Sequence, residues 1–293
     1  MCDEQDLKSW AEYLKQHPPM TRRTFGAMSA GAGLAAMLPP VANAQAVTES
    51  DVEIRTPDGT ADCYFVHPAS GTAPAVLVWP DILGLRPAFR AMGRRLAQSG
   101  YSVLVVNPFY RGSRSPVVAE GASFNDPEIR NKVMPLAQAL NAETHVTDAV
   151  AFVNWLDQQS SVAKDRGIGT TGYCMGGPMV MRTAAARADR IGAAATFHGG
   201  GLASATAADS PHLLIPQMKA DFLIAIAAND DERDPEAKNL LRESFGKAGL
   251  SAEIEVYEGT QHGWCPLDSA VYHEAQAERA WSRLLALFGK SLS

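Results

Sequence analysis

The residues of this chain best arranged for chemistry lie between Gly167 and Gly177, a run that ends Gly172, Tyr173, Cys174, Met175, Gly176, Gly177. A β-prone stretch from Ile168 to Tyr173 leads to the thiol, and Pro178 to Ala188 can form a helix. A nucleophile with glycine two before and two after it marks a strand that turns abruptly into a helix, lifting the corner side chain clear of the sheet. The corner backbone is strained, and small neighbours at Gly172 and Gly176 leave room for it. The positive end of the following helix favours a thiolate at that place, and Pro178 suits the first helical turn.

A thiol with an ordinary pKa of about 8.5 is mostly protonated at neutral pH. It needs a base, and the base needs an orienting partner. Candidates follow on later strands. The run Phe222–Ala227 leads into Asn229, Asp230 and Asp231, with Pro235 beyond, and Ala252–Tyr257 leads into Gln261, His262 and Gly263. Nucleophile, acid and histidine in that chain order is the order of α/β-hydrolases. His262 is the expected base. His198 closes an earlier strand, which breaks that order, and reads as pocket lining or a core histidine. Asp230 and Asp231 both remain as the acid; Asp231 is favoured because Pro235 marks a helix start shortly after it. The oxyanion of an acyl transfer would be held by the Met175 N–H and by that of Ile82, in the turn after Ala75–Trp79. Trp264 and Pro266 give the His262 turn an apolar wall.

The elements that must carry these residues read as one α/β domain over residues 47–293, a mostly parallel sheet of about eight strands with helices on both faces. Asp51–Thr56 and Asp62–His67 flank a turn at Pro57, Asp58 and Gly59, which predicts a hairpin. Ala75–Trp79 and Ser102–Asn107 are apolar runs of buried-strand type, joined by a helix over Pro87–Gln98. Residues 108–141 read as a long irregular connection leaving a strand's carboxyl end, where open α/β sheets bind ligands. Helices are expected over Thr144–Gln158, Asp234–Lys247 and Asp268–Phe288, and a further strand over Ile191–His198.

A formal charge of −6 on 293 residues gives no sign of a nucleic-acid surface. The four cysteines, at positions 2, 63, 174 and 265, have no spacing that suggests zinc or a disulfide framework, and no metal or organic cofactor is implied. Residues 1–46 read as a leader. Arg22 and Arg23 precede Phe25, a modest apolar run from Ala27 to Leu38 follows, and Ala42, Asn43 and Ala44 form an A-x-A cleavage site. That succession predicts a bacterial twin-arginine export signal, read by the Tat machinery and delivering the protein to the periplasm or beyond. The apolar run is too short and glycine-rich to span a membrane stably.

Over about residues 50 to 290 the chain resembles the dienelactone hydrolase family. The residues that carry the likeness are Trp79 to Leu85 (WPDILGL), Gly172 to Gly177 (GYCMGG), Asn229 to Asp231 with Pro235, and Gln261 to Gly263. The resemblance implies a Cys-Asp-His triad that opens esters and lactones through a thioacyl intermediate. It also implies a carboxylate on the first active-site turn that contacts the resting thiol. The family's usual Glu is here Asp81, and the arginine it places four residues after the histidine is Pro266. A second substrate arginine of the family falls in residues 108–141, where Arg130 is the candidate. Two other readings leave the same motifs in place: a ligand-binding member of the fold without turnover, kept open by Asp81 and Pro266, and a thiol redox protein pairing Cys174 with Cys265, which has no C-x-x-C in its favour.

Overall fold

A computed structural model describes residues 38–41 and 43–293. The arginine pair, the apolar run up to Met37 and Ala42 of the expected leader lie outside the described residues. Eight strands form one sheet in the order β1-β2-β4-β3-β5-β6-β7-β8. The hairpin β1 (Val47–Thr56) and β2 (Gly59–Pro68) runs antiparallel at one edge, and β2 pairs antiparallel with β4 (Ser102–Val106). From there β3 (Ala75–Trp79), β5 (Ile168–Tyr173), β6 (Ile191–Phe197), β7 (Asp221–Ala227) and β8 (Ala252–Tyr257) run parallel. Every residue of β3, β4 and β5 is buried. That is why β3 and most of β4 are apolar without alternation, while β5 buries only small or uncharged residues such as Gly169, Thr170 and Thr171.

Helices cover both faces. On one, α1 (Pro87–Gln98) and the closing α7 (Glu274–Ser291) pack Phe89, Met92, Leu96, Leu284 and Phe288 against Val76, Val78 and Val103. On the other lie α3 (Ala142–Leu156), α4 (Gly176–Ala186) and α6 (Pro235–Ala248), burying Phe152, Val153, Val180, Leu241 and Phe245. A short helix, α5 (Ala228–Arg233), follows β7 directly.

The connection after β4 departs from the irregular segment expected. It contains α2 (Pro127–Gln138), whose first turn is capped by the Asp126 carboxylate accepting the Glu128 N–H, with Pro127 at the opening position. This segment has its own apolar cluster. Phe109, Val117, Val118 and Val133 are buried together, with Ile129 and Leu136 against them, and Ile82 and Met175 pack on the same cluster from the sheet side. It therefore roofs the strand ends. Among the described residues no helix is long and apolar enough to cross a membrane.

Candidate active site

The carboxyl ends of β3, β5, β7 and β8 bring the candidate residues together. Cys174 ends β5 with φ +53, the left-handed corner expected of a nucleophile between strand and helix. Close approach explains its glycine neighbours. A Cβ on Gly172 would lie 2.4 Å from the Gly176 carbonyl oxygen, and one on Gly176 the same distance from the Trp79 carbonyl oxygen. The corner is held from the next strand, where the Phe197 carbonyl accepts the Cys174 N–H at 3.1 Å. Helix α4 begins at Gly176, so its amino end points at the thiol and favours negative charge there.

His262 reaches the thiol from the turn after β8. Its Nε2 lies 3.0 Å from Cys174 Sγ, and its Nδ1 lies 2.8 Å from Asp230 Oδ2. The turn is fixed by side chains as well as backbone: Asn229 Oδ1 accepts the His262 N–H at 2.8 Å, and Thr260 Oγ1 accepts the Ala228 N–H at 3.2 Å. The far oxygen of Asp230 accepts from Arg233 Nη2 at 2.7 Å. A carboxylate held at both ends gives the imidazole one orientation and one tautomer.

The expectation for Asp231 is corrected. Both its oxygens lie 2.6 Å from Lys238 Nζ, on α6. The reason is local: the chain enters α5 immediately after β7, so neighbouring side chains diverge by about 100° and only one acid of the pair can face His262. Asp230 takes that direction. Asn229 and Arg233, which sequence reasoning did not single out as site residues, support the same two partners; the helical register of Ala228–Arg233 was the available signal.

Asp81 is corrected as well. Its carboxylate accepts two bonds from Arg86, Nη1 at 2.6 Å to Oδ1 and Nη2 at 2.9 Å to Oδ2, and the Leu83 N–H at 2.9 Å. Both oxygens are thus engaged away from a resting-thiol role. Arg86 is itself buried and also grips Asp268, through Nε at 2.6 Å and Nη2 at 2.9 Å.

Among the described residues, neither the Ile82 nor the Met175 N–H has a hydrogen-bond acceptor. Both flank the corner, where a developing oxyanion would use them. His198, with φ +42, is fully buried, its ring 5.2 Å from that of His262 in an edge-to-face arrangement. Burial, and then the proximity of His262, push its basicity well below the ordinary histidine range. It backs the base and is no substitute for it. Trp264 is also fully buried, stacked 4.9 Å from Tyr257 beneath the His262 turn. Arg130 is half-buried on α2 and forms no ion pair among the described residues. Among those residues no group of three or more His, Cys, Asp or Glu is assembled that could hold a metal ion.

The likeness to known proteins follows the same geometry. Residues 61–292 match the model of the dienelactone hydrolase family. The carboxymethylenebutenolidase of Rhodococcus opacus is 23% identical, over 82% of this chain and 90% of that protein. Among solved structures, a promiscuous phosphotriesterase of dienelactone hydrolase type from metagenomic libraries superposes with a TM-score of 0.70 at 19% identity, covering 85% of this chain and all of that one (100%). The dienelactone hydrolase of Anabaena variabilis gives a TM-score of 0.60 at 14% identity, with 84% and 99% covered. These structural likenesses concern the fold, an α/β-hydrolase sheet. By the span of the family match, the chain belongs to the dienelactone hydrolase family.

Proposed function

We propose that this protein hydrolyses a carboxylic ester or lactone through a Cys174–His262–Asp230 triad and a thioacyl intermediate. The observation that carries the reading is the continuous chain of 2.8 Å and 3.0 Å contacts from Asp230 through His262 to Cys174. In the first step Cys174 Sγ attacks the carbonyl carbon and its proton passes to His262 Nε2. The carbonyl electrons move onto oxygen, where the Ile82 and Met175 N–H groups receive the charge; each such donor lowers a barrier by about 3 kcal/mol. Collapse breaks the carbon–oxygen bond, and the leaving alkoxide takes the proton from His262. Water, deprotonated by His262, then attacks the thioester, releasing the acid and restoring the thiol. Asp230 supports the imidazolium in both halves.

The substrate is proposed to be a neutral ester or lactone. A carboxylate close to the reacting carbonyl needs a paired cation, because removing it from water unpaired costs several kcal/mol. Pro266 supplies no such charge, and two carboxylates share one guanidinium beside the oxyanion turn. The test combines two measurements on full-length protein. Iodoacetamide labelling at Cys174, read by peptide mapping so that Cys2 is counted apart, should abolish hydrolysis of p-nitrophenyl acetate in parallel, and Cys174→Ala should lose both. Turnover in Cys174→Ala above a tenth of wild type would refute the covalent route. Labelling of Cys174 in a protein that turns over no member of an ester and lactone panel would favour a binding role.

Export through residues 1–46 is proposed on the sequence pattern of Arg22, Arg23 and Ala42 to Ala44. It fits the position of the first strand, since β1 begins at Val47 and Ala44 is exposed, so a cut after Ala44 spares the sheet. Fractionation of an Arg22→Lys/Arg23→Lys precursor checks it. Retention of the unprocessed form in the cytoplasm is expected, and normal processing would reject the reading.

A further inference from the structure

Arg86 joins two walls of the site that are far apart in sequence. Its guanidinium holds both oxygens of Asp81 and both of Asp268, a residue 182 positions away. The first acid opens the turn that carries Ile82, and the second lies in the segment that follows His262. Arg86 Nη1 also donates to the Gly84 carbonyl at 3.3 Å, and Asp81 accepts the Leu83 N–H, so the 81–86 turn is closed on itself around Ile82. The guanidinium and the Asp268 side chain are 4% and 6% exposed, so the ion cluster is shielded from water and its geometry is held tightly.

We infer that Arg86 is a positioning residue that fixes the Ile82 oxyanion donor relative to the histidine turn and draws the Asp81 carboxylate to itself, away from the thiol. Two observations carry this independently. One is the occupation of both Asp81 oxygens; the other is the grip of the same guanidinium on both oxygens of Asp268, in the segment after His262. The inference rests on the proposed triad, and its test separates the two.

The experiment compares hydrolysis with alkylation. Displacement of iodide from iodoacetamide forms a sulfur–carbon bond at a saturated carbon and develops no oxyanion, so it reads the thiol alone. Hydrolysis of p-nitrophenyl acetate reads the thiol and the oxyanion donors together. In Asp268→Asn and Arg86→Lys, kcat is expected to fall by about fivefold or more with KM within about threefold, since a displaced donor forfeits transition-state binding. The iodoacetamide rate at Cys174 is expected to stay within about threefold of wild type in Asp268→Asn and in Asp81→Asn. Thermal melts accompany each variant; if Arg86→Lys does not fold, Asp268→Asn alone decides, because it leaves Arg86 and Asp81 paired. A kcat within about twofold of wild type in folded Asp268→Asn would overturn the positioning role. A tenfold change in alkylation for Asp81→Asn would overturn the diversion of Asp81. Neither result touches the triad, which stands or falls on Cys174→Ala.

Discussion

The floor and the roof of this site are built on different terms. The floor is the β5–α4 corner, where backbone meets backbone: the spaces beside Gly172 and Gly176 are too small for a methyl group, and each neighbouring strand is buried. The roof is the segment of Phe109 to Leu140, held by its own small apolar cluster and touching the floor through Ile82 and Met175. A close-packed corner has one arrangement available. A satellite cluster with half-exposed members can be repacked at much lower cost. The difference teaches where the site is rigid and where it can yield: the floor has one arrangement, and the roof can be repacked.

The largest effect should come from breaking the floor. Gly176→Ala places a Cβ against the Trp79 carbonyl oxygen of β3, backbone that has nowhere to move. We expect a loss of about 3 kcal/mol or more, the upper range for overpacking, with turnover near background, measured by urea unfolding and ester hydrolysis. A soluble variant of wild-type stability would show that the corner is looser than its contacts imply.

Next comes the acid. Asp230→Asn is expected to lower kcat by about a thousandfold, as the imidazole loses both its orientation and the charge beside it. Asp231→Asn should stay within about twofold, since it disrupts only a partly exposed pair with Lys238. The reverse ranking would return the role to Asp231.

The roof is probed through charge. For a carboxylate-bearing lactone and its methyl ester, kcat/KM should favour the neutral ester or differ by less than about tenfold, and Arg130→Gln should change that ratio by about threefold at most. A tenfold preference for the anion that disappears in Arg130→Gln would make α2 the seat of a substrate cation.

The smallest effect is in stability against pH. His145 is buried beside Arg182, and burial followed by that charge lowers its pKa to about 3. The unfolded chain takes up this proton near the ordinary value of about 6.5. The stability linked to neutral His145 is therefore whole above pH 6.5 and is lost as pH falls from there towards 3. His145→Gln, which can still accept from Arg182, should flatten the urea midpoint between pH 7 and 5. An unchanged slope would show that other groups, His198 among them, dominate acid sensitivity.

The corner and the sheet were legible because they rest on local facts. β3, β5 and β8 have the bounds expected of them, and α1 starts at Pro87 as the pattern requires. The acid was less legible because Asp230 and Asp231 are chemically alike and only the helical turn after β7 separates them. Asp81 was misread for a different reason. Its partner Arg86 is near in sequence, but the fork that locks both needs Asp268, and no local pattern announces a contact of that span. Helix α2 was obscured by Pro135 within it, although Asp126 and Pro127 carried a usable start signal.

The burial of the other described cysteines gives this enzyme a practical property. Cys63 and Cys265 lie in the core outside any disulfide, and desolvation raises both pKa values, so at neutral pH they stay protonated and out of reach. Cys174, at the open corner, is the described thiol left for an electrophile to find. A maleimide dye or a biotinylated acylating probe should therefore mark the folded domain at a single address in protein that lacks Cys2. Denaturation would expose the other two sulfurs, so the count of dyes per molecule becomes a direct gauge of how much of a preparation is folded.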